Sequence, residues 1–135
     1  MKNPKEQAKR WLKQAEYDLN EAKKSLKDGS YAYTCFFAEQ SAQKSLKAVL
    51  YLDGARFINI HSIRELVKEL SKKRTEFLEL SEKGTLLDQY YLSSRYPDAV
   101  PEPAVPSEIF IKGQADMAVD IAGRIYKKAA ESIQI

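Results

Sequence analysis

The chain is punctuated as helices from end to end. Asn3-Pro4-Lys5-Glu6 has the chemistry of a helix start: an N-cap acceptor, proline at the first helical position, and a carboxylate three residues past the cap. Apolar residues then recur at three-and-four spacing, Ala8, Trp11, Leu12, Ala15, Leu19, Ala22 and Leu26, until Asp28-Gly29 supplies a stop. Ser30 opens a second run carrying Tyr33, Phe36, Phe37, Ala38, Ala42, Leu46, Val49, Leu50 and Leu52, closed by Asp53-Gly54. Two long helices joined by so short a connection predict an antiparallel hairpin.

Past a link from Arg56 to His61, Ser62-Ile63-Arg64-Glu65 repeats the capping-box pattern and opens a shorter helix with Ile63, Leu66, Val67 and Leu70 facing inward. Thr75 to Arg95 reads as helix, with Gly84 a kink or break. Tyr96-Pro97 begins a loop that Pro101, Pro103 and Pro106 keep extended, until Ser107 caps a last helix bearing Ile109, Ala115, Val119, Ala122, Ile125, Tyr126, Ala129 and Ile133. No β-type alternation and no internal repeat is present. The expectation is an all-α fold, a compact up-and-down bundle of about five helices, forming a single domain over residues 1–135.

Composition narrows the function classes. A net charge of +3 permits contact with a polyanion without demanding it, and the lysines and arginines of the first helix are interrupted by Glu6, Glu16, Asp18 and Glu21, as on a solvated face. A lone cysteine, Cys35, excludes an internal disulfide, and one histidine without a second cluster of ligands argues against a metal enzyme. The compartment is therefore expected to be reducing. The first residues are charged rather than apolar and no stretch is long enough to span a bilayer, which predicts a cytoplasmic protein without membrane partners.

Chemistry concentrates in Arg56-Phe57-Ile58-Asn59-Ile60-His61. Imidazole exchanges protons near neutrality, and guanidinium is a permanent cation shaped for phosphate, so the pair suits phosphodiester chemistry. His61 also precedes a helix start, whose amides and dipole favour an anion. A capping or surface histidine beside a chance arginine fits the same residues. Lys44 and Lys47 either extend an anion path toward Arg56 or form a solvated face. Arg95 and Tyr96, ahead of Pro97-Asp98, either hold a phosphate and stack on a base or simply terminate a helix. Tyr31, Tyr33, Phe36 and Phe37 are spaced as core and partner interface.

In its opening Trp11-Leu12-Lys13-Gln14-Ala15-Glu16-Tyr17-Asp18-Leu19, in Phe36-Phe37-Ala38-Glu39-Gln40-Ser41-Ala42-Gln43-Lys44-Ser45-Leu46-Lys47-Ala48, in His61-Ser62-Ile63 with Leu66, and in Tyr91-Leu92-Ser93-Ser94-Arg95-Tyr96-Pro97-Asp98, the chain resembles the HEPN family, the higher-eukaryote and prokaryote nucleotide-binding domain. The resemblance implies a helical bundle, usually dimeric. Many members are metal-independent endoribonucleases marked by Arg, four to six residues, then His; Arg56 and His61 fit with four between them. It implies a homodimer with Arg56 and His61 of both chains in one composite site, no cofactor, and RNA ends carrying 2′,3′-cyclic phosphate. It further implies a toxin paired with a nucleotidyltransferase antitoxin. Two positions depart from the pattern: Phe57 stands where nucleases of the family often have a polar residue, leaving Asn59 as the other polar side chain of the link, and Ile63 replaces a tyrosine that the toxin branch adenylylates. The alternative is a non-catalytic module that binds nucleotide or a nucleotidyltransferase.

Overall fold

A computed structural model describes residues 3–133. The Asn3 carboxamide oxygen accepts from the amides of Lys5 (2.9 Å) and Glu6 (3.3 Å), which starts α1, Pro4–Asp28. Gly29 ends it at φ 79°, a left-handed conformation that glycine adopts without Cβ strain, and its amide donates to the Leu26 carbonyl. Only Gly29 and Ser30 separate α1 from α2, Tyr31–Leu52, so the two form the expected hairpin. Ser30 occupies the cap position but its side chain makes no capping bond; its backbone carbonyl receives Thr34 instead.

Alanine sets how closely the long helices pack. Ala8, Ala15 and Ala22 of α1, seven residues apart, are fully buried, as are Ala115, Ala122 and Ala129 of the last helix, α7, Lys112–Ile133. Methyl groups along a contact seam bring helix axes toward the short end of the usual range. One consequence is that the Ser41 hydroxyl of α2 reaches across to donate to the Ala15 carbonyl at 2.7 Å. Helix α2 is covered by α1, α7 and the shorter elements together, so polar residues as well as apolar ones are buried along it.

The shorter helix expected after the link is α3, Ile63–Ser71, capped by Ser62. The segment after it is not one kinked helix: it comprises a 3-10 turn, Thr75–Leu80; α4, Ser81–Asp88; and α5, Tyr90–Ser93. Both ends of the Arg74 guanidinium fork onto Asp53, at 2.8 Å each, pinning this layer to the end of α2. Gly84 is no kink. It lies within α4, where a Cβ would sit 2.6 Å from the Cγ2 of fully buried Ile63, so the glycine is needed for the close approach of α3 and α4. Gly84→Ala is expected to cost about 1–3 kcal/mol, the usual range for overpacking, read as a lower denaturant midpoint with unchanged slope.

The last helix also starts later than Ser107. That serine lies inside a four-residue helix, α6, Pro106–Ile109; Phe110 is extended and buried, and α7 then begins with the Gln114 side chain accepting from the Ile111 amide at 3.0 Å. Tyr33, expected on the inner face of α2, is 58% exposed, while Tyr31, Phe36 and Phe37 are half-buried. Among the described residues no helix is long and apolar enough to cross a membrane.

Candidate functional site

The link between α2 and α3 alternates. Ile58 and Ile60 pack against the core, while Phe57, Asn59 and His61 are exposed, so two isoleucines anchor the segment and its polar side chains face outward. Arg56 is exposed as well. Asn59 and His61 line one shallow hollow of about 410 Å³ with Ser62, Glu65, Lys68 and Lys72.

Asp88 fixes the end of the link. Its carboxylate accepts from the Ser62 hydroxyl (2.9 Å), the Ile63 amide (2.6 Å) and the Arg64 amide (3.1 Å), while the Ser62 oxygen accepts from the Glu65 amide at 3.2 Å. The expectation that the start of α3 attracts an anion is thus met within the chain by Asp88, and those amides are not left for a phosphate. Cation chemistry toward a substrate falls to arginine and lysine side chains.

Beneath His61 runs a buried polar file on α2, one residue per helical turn: Glu39, Gln43 and Lys47. The Gln43 amide nitrogen donates to one Glu39 oxygen at 2.7 Å, and Gln40 donates to the other at 2.8 Å. Lys47 donates to the Gln43 carbonyl oxygen at 3.0 Å, and the same oxygen lies 3.3 Å from Nδ1 of His61. Burial pushes the Glu39 carboxyl up to about 7; the Gln40 and Gln43 bonds and the Arg95 charge oppose the rise, and Asp88 adds to it. Burial likewise lowers the Lys47 ammonium, against the pull of Glu39.

A second connection runs over the surface. The His61 ring stacks on Tyr91, 6.2 Å between centroids and 10° between planes, and Tyr91 in turn lies 5.1 Å from the guanidinium of Arg95. Arg95 is held by two bonds to the Tyr91 carbonyl and also covers the rings of Phe36 (4.4 Å) and Tyr96 (4.8 Å). Tyr91 therefore joins His61 to Arg95 and Tyr96, which are far apart in sequence. Lys44 belongs elsewhere: it pairs with Asp18 at 2.6 Å and lines a groove with Arg10, Trp11 and Tyr17. Lys47 is not a solvated lysine but is only 6% exposed.

Sequence reasoning missed Asp88, Tyr91 and the role of the buried file. A faint signal existed for the file, since Glu39, Gln43 and Lys47 are polar residues four apart within an otherwise apolar helix. No signal short of the fold could pair Asp88 with Ser62 across the intervening chain. Among the described residues no group of three His, Cys, Asp or Glu side chains is arranged to hold a metal ion.

A helical bundle with an Arg-to-His link after its second long helix defines a recognisable class. The HEPN domain model matches residues 8–133, and the chain belongs to this family. Its fold is that of TT1696 from Thermus thermophilus, at a TM-score of 0.87 and 34% identity, covering 93% of this chain and 98% of the other. ST0689, an archaeal HEPN homologue, aligns at 0.78 and 34% identity over 99% of this chain and 100% of its own. The HEPN domain protein TM0613 from Thermotoga maritima aligns at 0.71 and 27% identity, covering 90% and 95%. In sequence the chain is 31% identical over 97 residues to the protein named "Putative toxin MJ1304" from Methanocaldococcus jannaschii; the match takes in 67% of this chain and spans 64% of the length of that relative.

Proposed function

We propose that this protein is a metal-independent endoribonuclease acting as a homodimer, with Arg56 and His61 of both copies meeting in one site. The observation that carries the proposal is the exposure of Arg56 and His61 on the same short link, anchored by Ile58 and Ile60 and fixed at its end by Asp88. One His61 imidazole takes the ribose 2′ proton as the 2′ oxygen attacks phosphorus. The bond to the 5′ oxygen breaks, and the imidazolium of the second copy protonates that leaving oxygen. Arg56 stabilises the charge growing on the phosphoryl oxygens, and Asn59, in the same hollow as His61, lies within the substrate surface. The products are a 2′,3′-cyclic phosphate and a free 5′ hydroxyl. The likeness to MJ1304 supports a toxin role, and the family resemblance supports a nucleotidyltransferase as the partner that restrains it. Purified protein incubated with RNA and excess chelator is expected to leave cyclic phosphate ends. Intact RNA under those conditions would sink the nuclease proposal.

A second reading, a non-catalytic module for nucleotide, rests on a hollow of about 390 Å³ beside the start of α2, lined by Tyr31, Tyr33, Arg95, Pro97 and Pro106. Arg95 offers a charge for phosphate and exposed Tyr33 a ring for a base. This reading predicts saturable ATP binding that weakens about tenfold or more in Arg95→Ala and persists in His61→Ala, measured by titration calorimetry. Equal affinity in wild type and Arg95→Ala would remove it.

A further inference from the structure

His61 is an exposed imidazole whose two nitrogens are not equivalent. Nδ1 faces the side-chain oxygen of Gln43 at 3.3 Å. A ring nitrogen beside a carbonyl oxygen is favoured as the N–H donor, because two lone pairs would otherwise oppose each other. The tautomer therefore depends on which way the Gln43 amide points, and the contact with Lys47 fixes it. The Lys47 ammonium carries only donors and sits 3.0 Å from the atom assigned as oxygen; reversing the amide would set NH₂ against NH₃⁺. At the other end the amide nitrogen lies 2.7 Å from a carboxyl oxygen of Glu39; when Glu39 is ionised, reversal would set oxygen against oxygen. Both neighbours are buried side chains on the turns before and after Gln43, which is itself 5% exposed, so the amide is locked in place.

We infer that Gln43 is a positioning residue for His61: it holds Nδ1 in the protonated form and so leaves Nε2 as the free base of the ring. The inference rests on the proposal that His61 handles the ribose proton, for which a lone pair on the outward nitrogen is the form required. Free imidazole side chains favour the opposite tautomer. Gln43 thus raises the share of His61 already competent to accept a proton, while Tyr91, stacked on the ring, restrains its tilt. The oxygen of Gln43 has two lone pairs, and Lys47 and His61 use one each.

His61 is the only histidine, so protein labelled with ¹⁵N in the imidazole ring gives a single pair of ring-nitrogen signals. At a pH where the ring is neutral, wild type is expected to show a protonated Nδ1 and an unprotonated Nε2. Gln43→Met, close in shape but unable to accept, is expected to shift the balance toward Nε2–H and to lower kcat for RNA cleavage about 10-fold or more at little change in KM. Nε2–H predominance in wild type overturns the inference, as does a tautomer balance unchanged in Gln43→Met. Should that variant fail to fold, Gln43→Asn, which withdraws the amide by one carbon, serves in the same measurement with the same two outcomes. The spectrum is independent of cleavage: the expected tautomers in a protein that leaves RNA intact would uphold the hold of Gln43 on the ring and remove the nuclease proposal alone.

Discussion

His61→Ala is expected to reduce RNA cleavage by about 10²–10⁴-fold, the range that a positioned general acid or base contributes. Arg56→Ala is expected to reduce it by about 10²–10³-fold, as when one electrostatic contact to a developing charge is removed. The effects should fall on kcat, because neither proton transfer nor charge growth on phosphate exists in the ground state. Both side chains are exposed on a link whose anchoring comes from Ile58, Ile60 and Asp88, so the fold and the proposed dimer should survive each substitution with stability changed by about 0.5 kcal/mol or less for Arg56. His61→Ala gives up one ring contact with Gln43 and one stack on Tyr91, worth about 1 kcal/mol together. Cleavage rates with a defined RNA in chelator, alongside sedimentation to follow the dimer, make the check. Cleavage that persists in both variants would end the assignment of these residues as the reacting pair.

Helix starts and stops were legible where they are local chemistry, as they were not at Ser107. Asn3 at a cap, Gly29 at positive φ and Ser62 ahead of Glu65 each act within a few residues, and each stands where the spacing predicts. Elements whose ends depend on distant partners were not. The segment from Thr75 to Arg95 carries enough apolar residues for one helix, yet it divides because Phe77, Leu80, Leu87 and Tyr90 must each reach the core as the chain bends around α2. Gly84 carries no mark in the sequence to separate a kink from a close approach; only the position of Ile63 does that. In the site, Arg56 and His61 could be singled out as residue types, while their surroundings could not. Lys44 and Lys47 read as equivalents three apart, but α1 takes one into a pair with Asp18 and the crowding around α2 buries the other under His61. Polar residues on a helix normally declare its solvated face. Helix α2 breaks that rule because other elements surround it, and its buried polar residues are the ones that reach the site.

Stability should fall as pH rises through the range in which Glu39 titrates differently in the folded and unfolded chains. Its carboxyl is raised from 4.5 to about 7 on folding, so between those values the folded protein keeps a proton that the unfolded chain has released. With more protons on the folded state, the slope of unfolding free energy against pH is negative: the contribution of Glu39 is neutral below about 4.5, grows unfavourable up to about 7, and is constant above. At its full extent this is on the order of 3 kcal/mol. The charged groups facing Glu39, namely Lys47 on its own helix, Arg95 beyond α5 and Asp88 at the end of α4, modulate the value but do not reverse its sign, since burial is the largest cause. Glu39→Gln removes the ionisation and keeps the shape, but it offers one oxygen where Gln40 and Gln43 now have two, a loss of about 1 kcal/mol. The variant is thus expected to be the less stable protein at about pH 4 by about 1 kcal/mol and the more stable one at about pH 8 by about 2 kcal/mol. Denaturant titrations of both proteins across that range read Glu39 together with its effect on Lys47, the ammonium that feels its charge; the remaining titrating groups are common to the two. A stability difference independent of pH would show that Glu39 does not titrate in this window.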